Sequence, residues 1–368
     1  MRGLGKFVSH LTAARRTMQA ANANDDGSRL DILTGFGSNP GDLDARIYIP
    51  NVAPTALVVV LHGCTQSASI YDQGSGWSKL AQRHGFALLY PQQHRANNPN
   101  LCFNWYQPVD ARRGHGEAAS ISQMIQHLAR EYRLDRSQVF ITGLSAGGAM
   151  TSVMLACYPE QFAGGAIIAG LPFAGANTLP EALERMRGHG LPSRRELAAR
   201  ARAAAGHDVG LPKLSVWHGT RDNIVDPANA TAIVNQWRDL HGMGDINGSV
   251  GSVAGHRRET WSDAQGRVIV EKYDIKGMGH GTPIDTRGDQ ACGSPGPHML
   301  EANICTTRQV AKSWGLIAES ADRMEPANSD VEPGVDQTPF RARGYSVPGP
   351  SGVGAVIEDA LRAAGLMR

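Results

Sequence analysis

The sequence has no long hydrophobic run and no excess of charge of either sign. No apolar stretch approaches the ~18 consecutive residues that a membrane-spanning helix needs. Charged residues make up only 19% of the 368 residues, and the formal net charge is +2. The pairs of adjacent arginines are dispersed along the chain, as on an ordinary solvated surface. We therefore expect neither a membrane span nor nucleic acid as a partner.

The N-terminal segment lacks the pattern of an export signal. Ser9, His10 and Thr12 interrupt what would have to be the unbroken apolar part of a signal peptide. The adjacent Arg15 and Arg16 are followed by Thr-Met-Gln and not by a hydrophobic stretch. For the chain as given, this pattern favours a cytoplasmic location.

Cysteine is scarce, and its spacing excludes two common kinds of site. The five cysteines contain no C-x-x-C pair, so they do not resemble a zinc site or a thioredoxin-type redox site. Cys157 is expected to be a buried small apolar residue. Cys292 and Cys305 flank a loop rich in glycine and proline, and either a disulfide or two free thiols fits that arrangement. A disulfide would conflict with a reducing cytoplasm.

Apolar runs that end at glycine or proline alternate with segments of helical periodicity. The runs are predicted to be buried strands, and they cover residues 56–63, 86–91, 139–143, 164–170 and 213–219. The helical segments cover residues 77–84, 118–132 and 228–240. This alternation predicts an α/β fold with a doubly wound, mainly parallel sheet. Ligands of such sheets bind at the carboxyl ends of the strands.

The domain organisation is read from the segments that interrupt this alternation. Residues 46–319 form the predicted α/β domain, and residues 171–212 form a cap-like insertion within it. An N-terminal helix and lead-in strand are expected in residues 1–45. Residues 320–350, rich in Pro, Asp, Gly and Ser, are predicted to be a linker. Residues 351–368 are predicted to form a helix that docks on the body or on the second subunit of a homodimer.

A serine lies between two glycines where a predicted strand passes into a predicted helix. Gly143, Ser145 and Gly147 fit the G-x-S-x-G pattern of a nucleophile elbow, in which small neighbours tolerate a strained turn that exposes the hydroxyl. The alternative is an ordinary glycine-rich turn that contains a serine. The pattern thus nominates Ser145 as a nucleophile.

A base and an acid follow Ser145 at two later strand ends. His280 lies in the glycine-rich segment GMGHG, and an imidazole is a suitable base for a serine near neutral pH. Asp222 lies in the turn after the strand at 213–219, where it would hold the second ring nitrogen. The chain order Ser, Asp, His is that of an α/β-hydrolase triad. The rival carboxylates are Asp226, which resembles a helix cap, and then Asp274 and Asp285.

Two backbone N–H groups and several aromatic residues complete the predicted site. The geometry of this kind of fold nominates the N–H groups of Cys64 and Ala146 as the oxyanion hole. His62 and His218 are expected to stabilise their loops, since neither has the spacing of a metal ligand. Substrate contacts are predicted for aromatic residues of the strand-end loops and the cap, with Trp105 and Phe173 favoured over Trp77 and Tyr106.

Several unusual sequence blocks recur together with the elbow. They include VVLHGCTQ, GHGEAASI, VFITGLSAGGAM and SVWHGTRDNIVDPANA, in this order. Between Leu57 and Leu316 the chain resembles the polyhydroxybutyrate depolymerase family of esterases, which is related to feruloyl and acetyl xylan esterases. The resemblance implies an α/β-hydrolase fold and a serine esterase with no metal or other cofactor. It also implies that Ser145, Asp222 and His280 form the triad.

The same resemblance implies an ester substrate. Candidates are poly(3-hydroxybutyrate), its oligomers, and feruloyl or acetyl groups on plant polysaccharide; some similar enzymes cleave the β-amide bonds of poly(aspartic acid). Secreted polymer depolymerases carry a substrate-binding domain and a Ser/Thr-rich linker, neither of which is recognisable in this sequence. Soluble oligomers or amorphous polymer are therefore the expected substrates.

Overall fold

The computed structural model describes residues 28–206, 210–288 and 291–317, and its main feature is a large β-sheet. Within these residues ten strands form that sheet and two more form a small second sheet. The strands are β1 (Asp31–Ile32), β2 (Asp44–Tyr48), β3 (Leu57–Leu61), β4 (Ala87–Gln92), β5 (Val139–Leu144), β6 (Gly164–Ile168), β7 (Lys213–Gly219), β8 (Ser249–Val253), β9 (His256–Ser262), β10 (Val268–Ile275), β11 (Thr282–Ile284) and β12 (Met299–Glu301).

The strand order of the large sheet is β1-β2-β4-β3-β5-β6-β7-β10-β9-β8. The six central strands, in the order β4-β3-β5-β6-β7-β10, run parallel to one another. Every residue of β3 is buried, as expected for a strand whose sequence is continuously apolar because both sheet faces are covered. The mainly parallel α/β sheet predicted from the sequence is confirmed.

Helices follow most of the parallel strands. They are α1 (Ala68–Ser75), α2 (Trp77–His84), α3 (Gly116–Glu131), α4 (Ala146–Cys157), α5 (Leu179–Met186), α6 (Arg194–Ala205), α7 (Ala228–Leu240) and α8 (Thr306–Ser313). All residues of α4 are buried, which explains why its sequence lacks a polar face. The predicted helical segments agree with α2, α3 and α7 to within two residues.

Both edges of the sheet are antiparallel, which the sequence reading did not specify. At one edge β1 pairs with β2 and β2 with β4. At the other edge β9 pairs with β10 and with β8 through a two-residue turn at Ala254 and Gly255. Both turn residues have positive φ angles, 51° and 81°, as a tight hairpin turn requires. The exposed, glycine-containing β8 has no apolar run that would reveal it.

The predicted cap-like insertion contains α5 and α6. Leu197 and Ala201 on one face of α6 are buried. The insertion is tied to α7 by Gln236, whose side chain donates to the backbone oxygens of Phe173 and Leu197 at 3.0 and 2.9 Å. The insertion is therefore anchored to the body of the domain.

The other predicted boundaries are only partly covered by the structure. The predicted N-terminal helix, the linker and the C-terminal helix lie wholly or largely outside the described residues, and they stay predictions together with the homodimer. No helix within the described ranges is long and apolar enough to cross a membrane.

Four of the five cysteines form two disulfides. Cys292 is bonded to Cys305, which confirms one of the two alternatives left open by the sequence. Cys64 is bonded to Cys102, a bridge that was not predicted because the two residues are 38 positions apart. Cys157 is free and buried, as expected.

These bridges predict the labelling of the cysteines. After unfolding without reductant, a thiol-alkylating reagent should label Cys157 alone, whereas prior reduction should expose all five cysteines. Intact-protein mass spectrometry counts the labels, and peptide mapping locates them. Labelling of any of the other four without reductant would contradict the disulfide assignment.

Candidate active site

Ser145 occupies a strained corner between β5 and α4. Its backbone angles are φ 58° and ψ −118°, a conformation that non-glycine residues rarely adopt. The Ser145 N–H donates to Ile168 O at 2.9 Å, and the Ser145 carbonyl accepts from Ala149 N at 2.8 Å. The chain on both sides of the serine is thus fixed, so the surrounding structure maintains the strain.

The two glycines of the motif allow the backbone to approach closely. A Cβ atom on Gly147 would lie 2.3 Å from Leu61 O, and one on Gly143 would lie 2.3 Å from Gly147 O. No side chain fits at such distances. The G-x-S-x-G spacing is therefore a packing requirement of the corner between β3, β5 and α4, and Ser145 is half-buried at its tip.

Asp222 and His280 meet at the carboxyl ends of β7 and β10. His280 Nδ1 lies 2.8 Å from Asp222 Oδ2. Both side chains are at least nine-tenths buried. Since a carboxylate can only accept, Nδ1 carries the hydrogen in this pair, which leaves Nε2 of His280 as the free basic nitrogen.

The charge of Asp222 is stabilised by four donors. Oδ1 accepts from the backbone N–H groups of Ile224 and Val225, both at 2.9 Å. Oδ2 accepts from His280 and lies 3.3 Å from His218 Nε2. Burial raises the pKa of Asp222, but the bonds from His218 and His280 outweigh burial and hold the pKa well below its usual range. The carboxylate therefore stays ionised at neutral pH.

The loop that carries His280 is packed directly on the turn that carries Asp222. Arg221 N donates to Met278 O at 2.9 Å, and a Cβ on Gly219 would lie only 2.4 Å from that oxygen. From the opposite side, the His298 ring lies edge-on to the His280 ring, and its Nδ1 is 3.2 Å from His280 O. These contacts fix the position of the His280 loop.

The three rival carboxylates are engaged elsewhere. Asp226 Oδ1 accepts from Ala228 N at 2.8 Å in the first turn of α7, the capping interaction that its sequence context indicated. Asp274 is ion-paired with Lys272 at 2.9 Å. Asp285 accepts from Arg287 N at 3.1 Å. Of these four carboxylates, only Asp222 bonds His280.

The two predicted oxyanion donors lie in loops held by other residues. Neither the N–H of Cys64 nor that of Ala146 donates to another residue in the described part of the chain. The loop around Cys64 is fixed by Thr65 N, which donates to Asn100 O at 2.7 Å, and by the disulfide to Cys102. The disulfide, which was not predicted, links the Cys64 loop to the segment at residue 102.

A buried carboxyl lies behind this loop. Glu117 is fully buried, and its Oε1 accepts from Gln93 Nε2 at 2.6 Å and Asn104 Nδ2 at 2.8 Å. Its Oε2 accepts from Asn104 N at 2.8 Å. Gln93 also donates to Cys102 O at 3.1 Å. Glu117 thus holds the segment that bears Cys102. The sequence reading missed this role, although the block GHGEAASI was a signal for it.

His62 also stabilises the segments near Cys64, through hydrogen bonds to Gly63 and Gln93. Its Nδ1 lies 2.8 Å from Gly63 O, and Gln93 N donates to its Nε2 at 3.1 Å. The hydrogen therefore lies on Nδ1. Burial lowers the pKa of His62 to about 4, so the ring is neutral near pH 7. The predicted loop-stabilising role agrees with these contacts.

The two predicted substrate residues lie mainly in the core. Trp105 and Phe173 are 8% and 7% exposed, and both belong to the main hydrophobic cluster. The Trp105 ring packs edge-on against the Tyr106 ring, with 5.5 Å between the centroids. Their contact with substrate stays a prediction, since most of each surface is already used in packing.

The buried Glu117 predicts an unusual pH dependence of stability. Burial, reinforced by Asp110, raises the pKa of Glu117 to about 8 from 4.5. Between these values the folded protein retains a proton that the unfolded chain releases, so the stability should fall as pH rises, by up to about 1.4 kcal/mol per pH unit. The slope is measured as the free energy of unfolding in urea at several pH values between 6.5 and 8. This range lies above the pH at which His62 titrates.

Glu117→Gln is the control for this slope. The amide is neutral at every pH tested and has nearly the shape of the protonated carboxyl group, so the stability of the variant should lose the contribution of Glu117 to the slope. Equal slopes for the two proteins would contradict the assignment.

Comparisons with known proteins identify the family. Residues 43–262 match the family model described as esterase PHB depolymerase. Poly(3-hydroxyalkanoate) depolymerase C of Paucimonas lemoignei is 41% identical over 289 residues, 77% of this chain and 70% of that protein. Feruloyl esterase B of Talaromyces stipitatus is 30% identical over 264 residues, 69% of this chain and 72% of that protein.

A solved structure supports the fold. The acetyl xylan esterase from Aspergillus awamori superposes with a TM-score of 0.66 at 23% identity, covering 78% of this chain and 99% of that one. The shared architecture is that of an α/β hydrolase. The family match and the 41% identical relative show that the chain belongs to the esterase PHB depolymerase family and is a carboxylic ester hydrolase.

Proposed function

We propose that this protein is a serine esterase in which Ser145 is the nucleophile, His280 the general base and Asp222 the residue that orients the base. The observation that carries this assignment is the buried hydrogen bond between His280 Nδ1 and Asp222 Oδ2. That pair lies at the same edge of the sheet as the strained serine corner, since the carboxyl ends of parallel strands lie at one edge.

In the proposed reaction, Ser145 Oγ attacks the carbonyl carbon of the ester while His280 Nε2 takes the hydroxyl proton. The negative oxygen formed on the substrate is stabilised by the N–H groups of Cys64 and Ala146. His280 then returns the proton to the leaving alcohol, and an acyl-enzyme remains. A water molecule, deprotonated by His280, releases the acid and regenerates Ser145.

Substitution of the three residues tests this mechanism. Ser145→Ala should abolish ester hydrolysis apart from a residual ~10³–10⁴-fold rate enhancement from binding and the oxyanion hole. Asp222→Asn should lower kcat by about 10⁴-fold, because the amide disfavours the productive tautomer of His280. The measurement is steady-state hydrolysis of a short-chain p-nitrophenyl ester, with circular dichroism to verify folding.

Asp226→Asn is the matched control, because this exposed carboxylate lies four positions away and bonds only Ala228 N among the described residues. It should retain near wild-type kcat. If Asp226→Asn lost activity while Asp222→Asn kept it, the acid would be misassigned. Near wild-type activity of Ser145→Ala would exclude the proposed nucleophile.

We further propose that the substrate is poly(3-hydroxybutyrate), in particular its soluble oligomers or amorphous form. The 41% identical relative, a poly(3-hydroxyalkanoate) depolymerase, supports a polyester over a feruloyl or acetyl xylan ester. Poly(aspartic acid) is the alternative, in which Arg112, Arg113 and Arg221 would contact the carboxylated chain. Arg113 is paired with Glu160. In the cap, Arg194 pairs with Asp239 and Asp245, and Arg200 pairs with Glu196.

A substrate panel separates these alternatives. Hydroxybutyrate oligomers should be hydrolysed with a kcat/KM about ten-fold or more above that for feruloyl and acetyl xylan esters, and poly(aspartic acid) should not be cleaved. Chromatography of the released acids measures the rates, with Ser145→Ala as the blank. Preferential cleavage of poly(aspartic acid) would overturn the polyester proposal without affecting the triad.

We also propose that the protein works in an oxidising compartment. Disulfides form and persist in such compartments, and two are present among the described residues. The cytoplasmic location expected from the N-terminal sequence stays untested. The cysteine labelling described above bears on this proposal, since free thiols at these four positions would remove its support.

A further inference from the structure

A second histidine contacts the carboxylate of Asp222. His218, the penultimate residue of β7, is 1% exposed. Its Nε2 lies 2.8 Å from Val225 O and 3.3 Å from Asp222 Oδ2. The proposed mechanism assigns no task to this side chain, although it touches the same oxygen atom that holds His280.

The contacts of His218 define which ring nitrogen carries the hydrogen. A carbonyl oxygen can only accept, so the nitrogen facing Val225 O must be the donor, Nε2–H. This hydrogen is directed at Val225 O, and Asp222 Oδ2 lies 3.3 Å from the same nitrogen. The other nitrogen, Nδ1, is buried and has no hydrogen-bond partner among the residues that the structure describes. A buried nitrogen without a partner is unfavourable, so loop stabilisation alone accounts poorly for a histidine here.

The two histidines compete for one oxygen. Asp222 Oδ1 is occupied by two backbone donors, so the interaction with His218 falls on Oδ2, the oxygen that orients His280. A second donor near the same oxygen stabilises the carboxylate charge and so reduces the attraction of that charge for the first donor. His218 therefore weakens the hold of Asp222 on a protonated His280 while keeping the carboxylate in place.

We propose that His218 is a positioning residue that fixes the Asp222 carboxylate and, by sharing Oδ2, sets the pH below which His280 no longer acts as a base. The proposal rests on the triad assignment under the proposed function. It concerns the tuning of that triad and adds no step to the reaction.

Other charged or titratable groups among the described residues lie near this cluster. His298 faces His280 from the segment before β12. Asp274 on β10 is the register neighbour of His218 and is paired with Lys272 and Arg257. Arg221 lies in the same turn as Asp222 and is exposed. The test leaves all of these groups unchanged, so a pH effect of substituting His218 reports on the shared oxygen.

The test is the pH profile of kcat/KM for a short-chain p-nitrophenyl ester. In His218→Leu, Oδ2 loses a competing donor and holds protonated His280 more strongly, so the acid limb should move to higher pH, by about one unit. We expect kcat at the optimum to fall about ten-fold, because the carboxylate is less well fixed. In His218→Gln, whose amide N–H can replace Nε2–H, the acid limb should return to within about 0.3 units of wild type.

His241→Leu is the matched control. His241 lies at the end of α7, its Nε2 bonds a backbone oxygen, Pro212 O, at 3.3 Å, and its ring packs on Trp237, away from the turn of Asp222 and from the His280 loop. This variant should lose thermal stability without a shift of the acid limb. An unshifted limb in His218→Leu would overturn the proposal and leave His218 a structural residue.

A measurement on the unmodified protein is independent of activity and of the folding of any variant. Nitrogen-15 NMR of the histidine rings should identify the Nε2–H tautomer for His218, and the Nδ1–H tautomer would overturn the proposal. An error in the triad assignment would give a different result. Ser145→Ala would then remain active, whereas the tautomer of His218 found by NMR would be unchanged.

Discussion

The candidate site depends on a negative charge that is removed from water. A buried carboxylate is stable only if hydrogen bonds replace its hydration. The two backbone donors from Ile224 and Val225 fold the turn after β7 around Asp222, and two imidazoles occupy the other oxygen. The turn, the His280 loop and the end of β7 are therefore arranged around one carboxylate.

The serine side of the site depends on a different constraint, the close packing of backbone. Gly143 and Gly147 bring β3, β5 and α4 to distances at which a Cβ atom would clash. Ser145 accordingly takes a conformation that costs free energy, and the fully buried α4 and the bond to Ile168 O maintain it. The parallel sheet thus supports both the strained corner at Ser145 and the buried carboxylate of Asp222.

On the oxyanion side, covalent and polar links act together. The disulfide joins the Cys64 loop to Cys102, and the buried Glu117 holds the segment around Cys102 through Gln93 and Asn104. A backbone N–H can stabilise a developing charge only if it is directed at that charge before the reaction begins. The links fix the loop in advance, and they come from parts of the chain that are far apart in sequence.

The sequence by itself determined the central strands, the following helices and the elbow, because apolar runs, helical periodicity and the G-x-S-x-G spacing are local signals. It also nominated Asp222 over Asp226, since a residue in the turn after a strand differs from a helix cap in its immediate neighbours. The tertiary structure alone decided the antiparallel sheet edges, the Cys64–Cys102 bridge, and the buried contacts of Glu117 and His218. Those features depend on which distant residues meet in a buried environment, where hydrogen bonding and desolvation act on contacts that no local pattern encodes.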